Sequence, residues 1–155
     1  MTRELETGRS KHRGINLIEL LIVVAIVAIL TTIAYPSYKN YIVRTSREAA
    51  ESQLQQLANL EEKIFLNSNS YTTSGTATTN VTAVYNGQLT GGLGLTSGQT
   101  VDGKYNITAT PAATATTFTL QAAPVAGTTQ EGDGNVTIDQ TGRRLWASPS
   151  GTVSW

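Results

Sequence analysis

An apolar stretch near the N-terminus is the feature that most limits what this chain can fold into. Residues 15–35 contain a single side chain that is charged at neutral pH, Glu19. A helix of this length spans about 30 Å, the thickness of the hydrocarbon core of a bilayer. Because backbone polar groups in lipid must be satisfied within the segment itself, the stretch predicts a transmembrane helix.

The flanking charges predict the orientation of this helix. Residues 1–14 hold four basic and two acidic side chains. The excess of positive charge predicts a cytoplasmic N-terminus and an exported remainder. The apolar stretch is longer than that of a secretory signal and no small-residue cleavage site follows it, so we expect it to stay in the mature protein as an anchor.

The composition argues against enzymatic chemistry. The chain has no cysteine, and its one histidine, His12, lies in the basic N-terminal segment. Residues 15–155 therefore lack the commonest general base and the commonest zinc ligands. We expect no catalytic residues, no cofactor and no metal site built from cysteine or histidine.

Glu19 is costly where it stands, at about 3 kcal/mol for a carboxylate within the bilayer. Such residues either reach the membrane interface or pair with a cation inside an apolar bundle. The residues alone leave both interpretations open.

Residues 11–20 read KHRGINLIEL and resemble the processing site of type IV prepilins, in which a basic leader ends in Gly directly before an apolar helix. The resemblance implies that a prepilin peptidase cuts between Gly14 and Ile15 and methylates the new amine of Ile15. The family usually begins with Phe and Thr, where this chain has Ile15 and Asn16. The resemblance also gives Glu19 a partner, the N-terminal amine of a neighbouring subunit.

Residues 35–41 read YPSYKNY and resemble the type IVa pilins, in particular their minor pilins. Pro36 stands where that family has a helix-bending proline. It cannot donate a hydrogen bond to the carbonyl of Thr32, so the helix is predicted to kink or loosen there. An interfacial belt formed by the three tyrosines of this segment is the alternative interpretation.

Residues 36–66 are predicted to form an amphipathic helix that packs on a sheet. Its apolar stripe consists of Ile42, Ala49, Leu54, Leu57, Leu60 and Ile64. Its polar surface is assigned to Arg44, Arg47, Glu48, Glu51, Glu61 and Glu62. A coiled-coil dimer is the alternative, although no strict heptad is sustained. Residues 67–70, Asn-Ser-Asn-Ser, are predicted to stop the helix.

The remaining sequence predicts a variable loop followed by a small sheet. Residues 67–103 are rich in Gly, Ser, Thr and Asn and are assigned to the loop. Within residues 104–155, alternation of apolar and polar side chains predicts four strands, at 105–109, 117–121, 135–139 and 143–146. The expected fold is therefore α+β, a pilin fold with a long N-terminal helix packed on a four-stranded antiparallel sheet.

In the minor pilins two cysteines usually close the C-terminal region, and this chain has none. We expect another fastening, for which packing of Trp146 and Trp155 under the sheet edge is the first hypothesis. A calcium ion held by hard oxygen donors is the second. Its candidate ligands are Glu131, Asp133, Asn135 and Asp139.

The resemblance predicts a minor pilin that waits in the bacterial inner membrane and then joins an extracellular fibre. Its implied partners are other pilin subunits, of the same or another chain, the prepilin peptidase, the assembly platform and membrane lipid. The fibre would serve adhesion, twitching motility or DNA uptake. A pseudopilin of a type II secretion system is the alternative. Direct DNA binding is not expected, because residues 15–155 carry seven basic and nine acidic side chains, and Arg143 and Arg144 are their one adjacent basic pair.

Overall fold

The apolar stretch and the amphipathic segment form one helix, α1, which spans Leu17–Ser68. The computed structural model describes residues 16–73, 77–109 and 116–155. It divides into two compact units, Met1–Tyr38 and Lys39–Trp155. The predicted cleavage site at Gly14 and Ile15 lies outside the described residues.

The first unit contains the N-terminal part of α1. Its large apolar side chains are exposed, from Leu17 to Ile33. By length and composition, α1 is the one helix among the described residues that is suited to cross a membrane. Helical structure continues through Pro36, so the proline does not end the helix. A proline removes one backbone donor, and the remaining hydrogen bonds of the helix are sufficient to maintain it.

In the second unit, called the head below, α1 turns one face toward a sheet. The predicted stripe is confirmed for Leu54, Leu57 and Ile64, which are buried, whereas Ala49 is exposed and Ala50 takes its place. The helix ends at Ser68, as residues 67–70 predicted. Asn69 has a left-handed backbone with φ 51°, and its N–H donates to the carbonyl of Phe65 over 2.7 Å. This is a common way to end a helix.

The prediction that every charged side chain of this segment faces solvent is wrong for three residues. Glu61 is fully buried, and the side chains of Arg47 and Glu51 are only 14% and 18% exposed. Charged groups are buried in this way when partners from other parts of the chain meet them.

The sheet is an antiparallel meander of five strands in the order β1-β2-β3-β4-β5. The strands are β1 Tyr105–Ala109, β2 Thr119–Pro124, β3 Val136–Asp139, β4 Arg144–Ser148 and β5 Gly151–Ser154. The four predicted strands are confirmed, and β5 is an additional one that follows β4 after a two-residue turn. The α+β pilin-like fold is confirmed.

The core lies between α1 and the sheet. Tyr105 and Ile107 of β1, Leu120 of β2 and Val136 of β3 are fully buried and pack with Leu54. The rings of Phe118 and Tyr71 form a T-shaped pair, with 4.8 Å between the ring centres.

The predicted loop at residues 67–103 contains a short helix, α2 Ala77–Thr82, which the sequence did not predict. Val81 of α2 and Leu93 are buried in the core. The last part of this segment also covers β1, because Gln99 forms an isolated bridge with Asn106.

Candidate functional site

Glu19 lies in the first turn of α1, where its N–H donates to the carbonyl of Asn16 over 3.0 Å. A carboxylate at a helix N-terminus is favoured by the helix dipole. Around it are the exposed apolar side chains of Leu17, Ile18, Leu20 and Leu21. No described residue of the chain forms an ion pair with Glu19. A cationic partner would therefore come from outside the described residues, in this chain or in another molecule.

The head contains a buried polar cluster that joins α1 to the sheet, called the polar clasp below. It consists of Arg47, Tyr105, Gln130, Asp133 and Trp146. Arg47 donates through Nη1 to Oδ1 of Asp133 over 2.7 Å. The hydroxyl of Tyr105 donates to Oδ2 of Asp133 over 2.6 Å. Both carboxylate oxygens of a buried aspartate are thus satisfied, as the cost of burying a charge requires.

The polar clasp also fixes the connection between β2 and β3. Gln130 is fully buried, and its Nε2 donates to the carbonyl of Val43 and to the hydroxyl of Tyr105, each over 2.8 Å. The indole Nε1 of Trp146 donates to the carbonyl of Asp133 over 2.8 Å. The Arg47 guanidinium carbon lies 3.5 Å from the Trp146 ring centre, in cation–π contact.

Burial in and beside the polar clasp changes the pKa values of Tyr105 and Glu51. Burial raises the pKa of Tyr105, and its hydrogen bond to Asp133 raises it further. Burial also raises the pKa of Glu51, although the nearby Arg47 acts in the opposite direction. At neutral pH Tyr105 therefore remains a proton donor to Asp133.

Asp133 and Trp146 of this cluster lie in the C-terminal region, for which the sequence predicted a fastening other than a disulfide. The predicted fastening by tryptophan involves Trp146, which contacts α1 through Arg47. Trp155 is partly buried against the core, and its Nε1 donates to the carbonyl of Leu145 over 3.1 Å. Sequence reasoning missed Arg47, Tyr105 and Gln130 as members of the fastening.

The candidate calcium ligands make separate contacts. Asp133 belongs to the polar clasp, and Glu131 accepts from the N–H of Gly127 over 2.9 Å. The backbone carbonyl of Asn135 accepts from Ala147. Among the described residues there is no group of three or more acidic or histidine side chains that could hold a metal ion. Calcium binding stays a prediction, and the engagement of Asp133 by Arg47 counts against it.

Asp139 is the last residue of β3 and borders the turn to β4. Burial raises its pKa, but hydrogen bonds from Thr141 and Arg143 have the larger combined effect and lower it. Arg143 donates through Nε to Asp139 over 3.1 Å, with 70% of its own side chain exposed. The guanidinium of Arg144 lies 5.3 Å from the ring centre of Trp155. Both arginines thus lie at one end of the sheet.

Glu61 is a buried carboxylate that the sequence did not reveal. Its Oε2 accepts from the N–H of Thr72 over 3.0 Å and from the Thr72 hydroxyl over 2.8 Å. Its Oε1 has no hydrogen-bond partner among the described residues. Burial raises the pKa of Glu61, and the bonds from Thr72 offset part of that rise.

Comparison with protein families is consistent with the fold. Residues 9–35 match the prokaryotic N-terminal methylation motif, a range that contains Gly14, Ile15 and Glu19. Together with the long helix and the antiparallel sheet, this motif defines the class of type IV pilin subunits, which are structural proteins and not enzymes.

Residues 36–134 match a family described as "Type IV minor pilin ComP, DNA uptake sequence receptor". Because the match covers more than half of the chain, the protein belongs to this family of type IV minor pilins. No curated protein matches the chain at a significant level of similarity.

Proposed function

We propose that this protein is a minor subunit of a type IV pilus that takes up DNA, and that it joins the fibre through its apolar helix. The observation that carries the proposal is the family match across residues 36–134, which include most of the head. No observation on the described residues favours adhesion or twitching motility as the role of the fibre. The family match also favours a pilus over a type II secretion pseudopilus.

The proposal includes processing and topology. The leader, residues 1–14, would stay in the cytoplasm until cleavage at Gly14, and the new amine of Ile15 would be methylated. The exposed apolar side chains from Leu17 to Ile33 would contact lipid before assembly and neighbouring helices afterwards. Glu19 would then pair with the amine of an adjacent subunit in a medium of low dielectric, where an unpaired charge is strongly penalised.

The direct test is mass spectrometry of fibres sheared from cells that express the protein. We expect a peptide that begins with N-methylated Ile15, at low abundance relative to the other subunits. Absence of the protein from the fibres would contradict the proposal.

A test of Glu19 separates assembly from processing. We expect Glu19→Ala and Glu19→Gln to be inserted and cleaved normally but to be depleted from sheared fibres by about tenfold or more, because either change leaves the neighbouring amine unpaired in the bundle. Immunoblots of membrane and fibre fractions measure both steps. Normal incorporation of Glu19→Gln would show that the charge has no role.

Direct reception of DNA by this head is a second candidate function, which the family description favours. Its charge argues for weak contact: Arg47 is held in the polar clasp and Lys104 donates to Ser46 over 2.9 Å. The exposed Arg143 and the adjacent Arg144 form the one adjacent basic pair of residues 15–155 and are the candidate phosphate contacts. Two phosphate contacts support only weak and salt-dependent binding.

For this candidate we expect the full-length protein in detergent to retain DNA in a mobility assay at low salt. The charge reversal Arg143→Glu with Arg144→Glu should abolish retention, because it replaces two phosphate contacts with repulsion. Charge reversal of Arg44, an exposed arginine paired with Glu48, is the matched control. Unchanged retention by the double variant would remove this candidate.

A further inference from the structure

The two edges of the sheet differ in their cover. Outside β1, the N–H of Ile107 donates to the carbonyl of Gly98 over 2.7 Å, and the N–H of Thr100 donates to the carbonyl of Tyr105 over 2.9 Å. Residues 98–100 therefore cover the β1 edge. The opposite edge is β5, and no described segment pairs with its outer side. Among the described residues, the β5 edge is thus the open edge of the sheet.

The pairing of β4 shows which groups β5 presents outward. The N–H of Ala147 donates to the carbonyl of Asn135 over 2.8 Å, so the backbone groups of Ala147 point toward β3. Ala147 is the register partner of Thr152. In an antiparallel ladder such a pair exchanges no hydrogen bonds, and the backbone groups of Thr152 therefore point away from the sheet.

The alternation of the ladder extends this result along β5. Two residues further, Ser154 pairs with Leu145 and has the same outward orientation, whereas Val153 is bonded to Trp146. Thr152 and Ser154 together offer two donors and two acceptors without a partner on the described sheet. All four residues of β5 are exposed, and Val153 retains 47% of its surface.

Two common forms of protection against pairing, charged side chains and a proline on the strand, are absent from this edge. Residues 148–155 contain no charged side chain, and the one proline, Pro149, lies in the turn before β5. Natural edge strands are generally blunted by lysine, by inward charges or by a proline on the strand itself. An uncharged, exposed strand with free backbone groups is suited to adding another strand.

We propose that β5 pairs with β5 of a second copy of this chain, antiparallel and centred on Val153. The strand is self-complementary in this register, because Thr152 of each copy lies opposite Ser154 of the other. These are the residues with outward backbone groups, so the pairing forms four main-chain hydrogen bonds. The two Val153 side chains face each other at the centre, and no like charges within β5 are brought together.

The register predicts distances that cysteine cross-linking can test in a chain with no cysteine of its own. At the centre, the two Val153 Cα atoms form a non-hydrogen-bonded pair about 4.5 Å apart, within the range for a disulfide. Thr152 of one copy and Ser154 of the other are about 5.5 Å apart, also within range. Two copies of Thr152 are more than about 8 Å apart, which is too far.

The experiment uses the full-length protein in native membranes under mild oxidation. We expect Val153→Cys to form a product of twice the mass of the chain, whereas Thr152→Cys alone and Ser154→Cys alone do not. Cells that co-express the Thr152→Cys and Ser154→Cys chains should recover the product. A further change, Val153→Lys, places two ammonium groups at the centre of the pairing. If it is added to both the Thr152→Cys and the Ser154→Cys chains, we expect their cross-linking to fall by at least about tenfold.

Equal cross-linking by Val153→Cys and Thr152→Cys would overturn the register, because a collisional contact does not distinguish them. A product with a mass other than twice that of the chain would show that the edge is occupied by a different protein. If Val153→Cys is present in the membrane at a normal level but forms no cross-linked product, the pairing is overturned. None of these outcomes depends on DNA uptake or on the abundance of the protein in fibres.

Discussion

At the scale of single residues, Glu61 shows how a buried carboxylate couples the head to pH. The folded state raises the pKa of Glu61, so it binds a proton more tightly than the unfolded chain does. The contribution of Glu61 to stability is therefore lowest above the folded pKa. It increases as the pH falls through the folded pKa toward the ordinary value of 4.5.

We expect the native chain to gain stability relative to Glu61→Gln as the pH falls from 7 to 4.5. Glu61 takes up a proton in this range and the glutamine cannot. Urea titrations across this range measure the difference. Thr72→Val, which removes the hydroxyl that donates to Oε2, should make the pH dependence steeper. A difference that is independent of pH would contradict the assignment.

At the scale of elements, the sequence predicted the strands and helix boundaries whose residue pattern is local. Four strands alternate apolar and polar side chains, and the helix end at residues 67–70 has its own stop signal. The helix α2 was missed because ATTNVT has low helix propensity, and burial of Val81 in the core stabilises it instead. β5 was missed because its four residues have no buried face that would produce alternation.

The membrane helix and the processing motif could also be recognised from sequence, because they lie within one short stretch. The polar clasp could not. Arg47 and Asp133 are 86 positions apart, and a charged residue in an amphipathic helix ordinarily indicates a solvent face. Only the fold brings the two charges together.

The junction of the β2–β3 connection with β4 depends on one glycine. Gly134 has a φ of +97°, and a Cβ there would lie 1.8 Å from the carbonyl oxygen of Ala147. We expect Gly134→Ala to destabilise the head by about 3 kcal/mol or more, because backbone strain and a displaced β4 add together.

Gly142→Ala is the matched control for this change. Gly142 also has a positive φ, of +76°, but nothing lies within 4 Å of its Cβ position. It should cost only the conformational strain, about 1 kcal/mol. Chemical denaturation measures both variants, and equal losses would contradict a steric role for the close approach at Ala147.

At the scale of the whole molecule, the head is held together without covalent bonds between distant residues. The polar clasp connects α1, β1, β4 and the β2–β3 connection through one buried ion pair and its hydrogen bonds. A buried pair of this kind is costly to break by removing one partner, since the other charge is then left buried. The polar clasp therefore holds these elements together through non-covalent contacts.

We expect Arg47→Met to lower the free energy of unfolding of the head by about 3 kcal/mol, because it leaves Asp133 buried without its cation. Asp133→Asn should also destabilise, and the double variant should lose less than the two single losses combined, by about 1 kcal/mol or more. Both tryptophans, Trp146 and Trp155, lie in the head, so their fluorescence during denaturation of the full-length protein reports on this unit. Additive losses would show that the two residues do not act as a pair. A shift of the unfolding midpoint of the native protein on adding a calcium chelator would show that a metal ion contributes to the fastening.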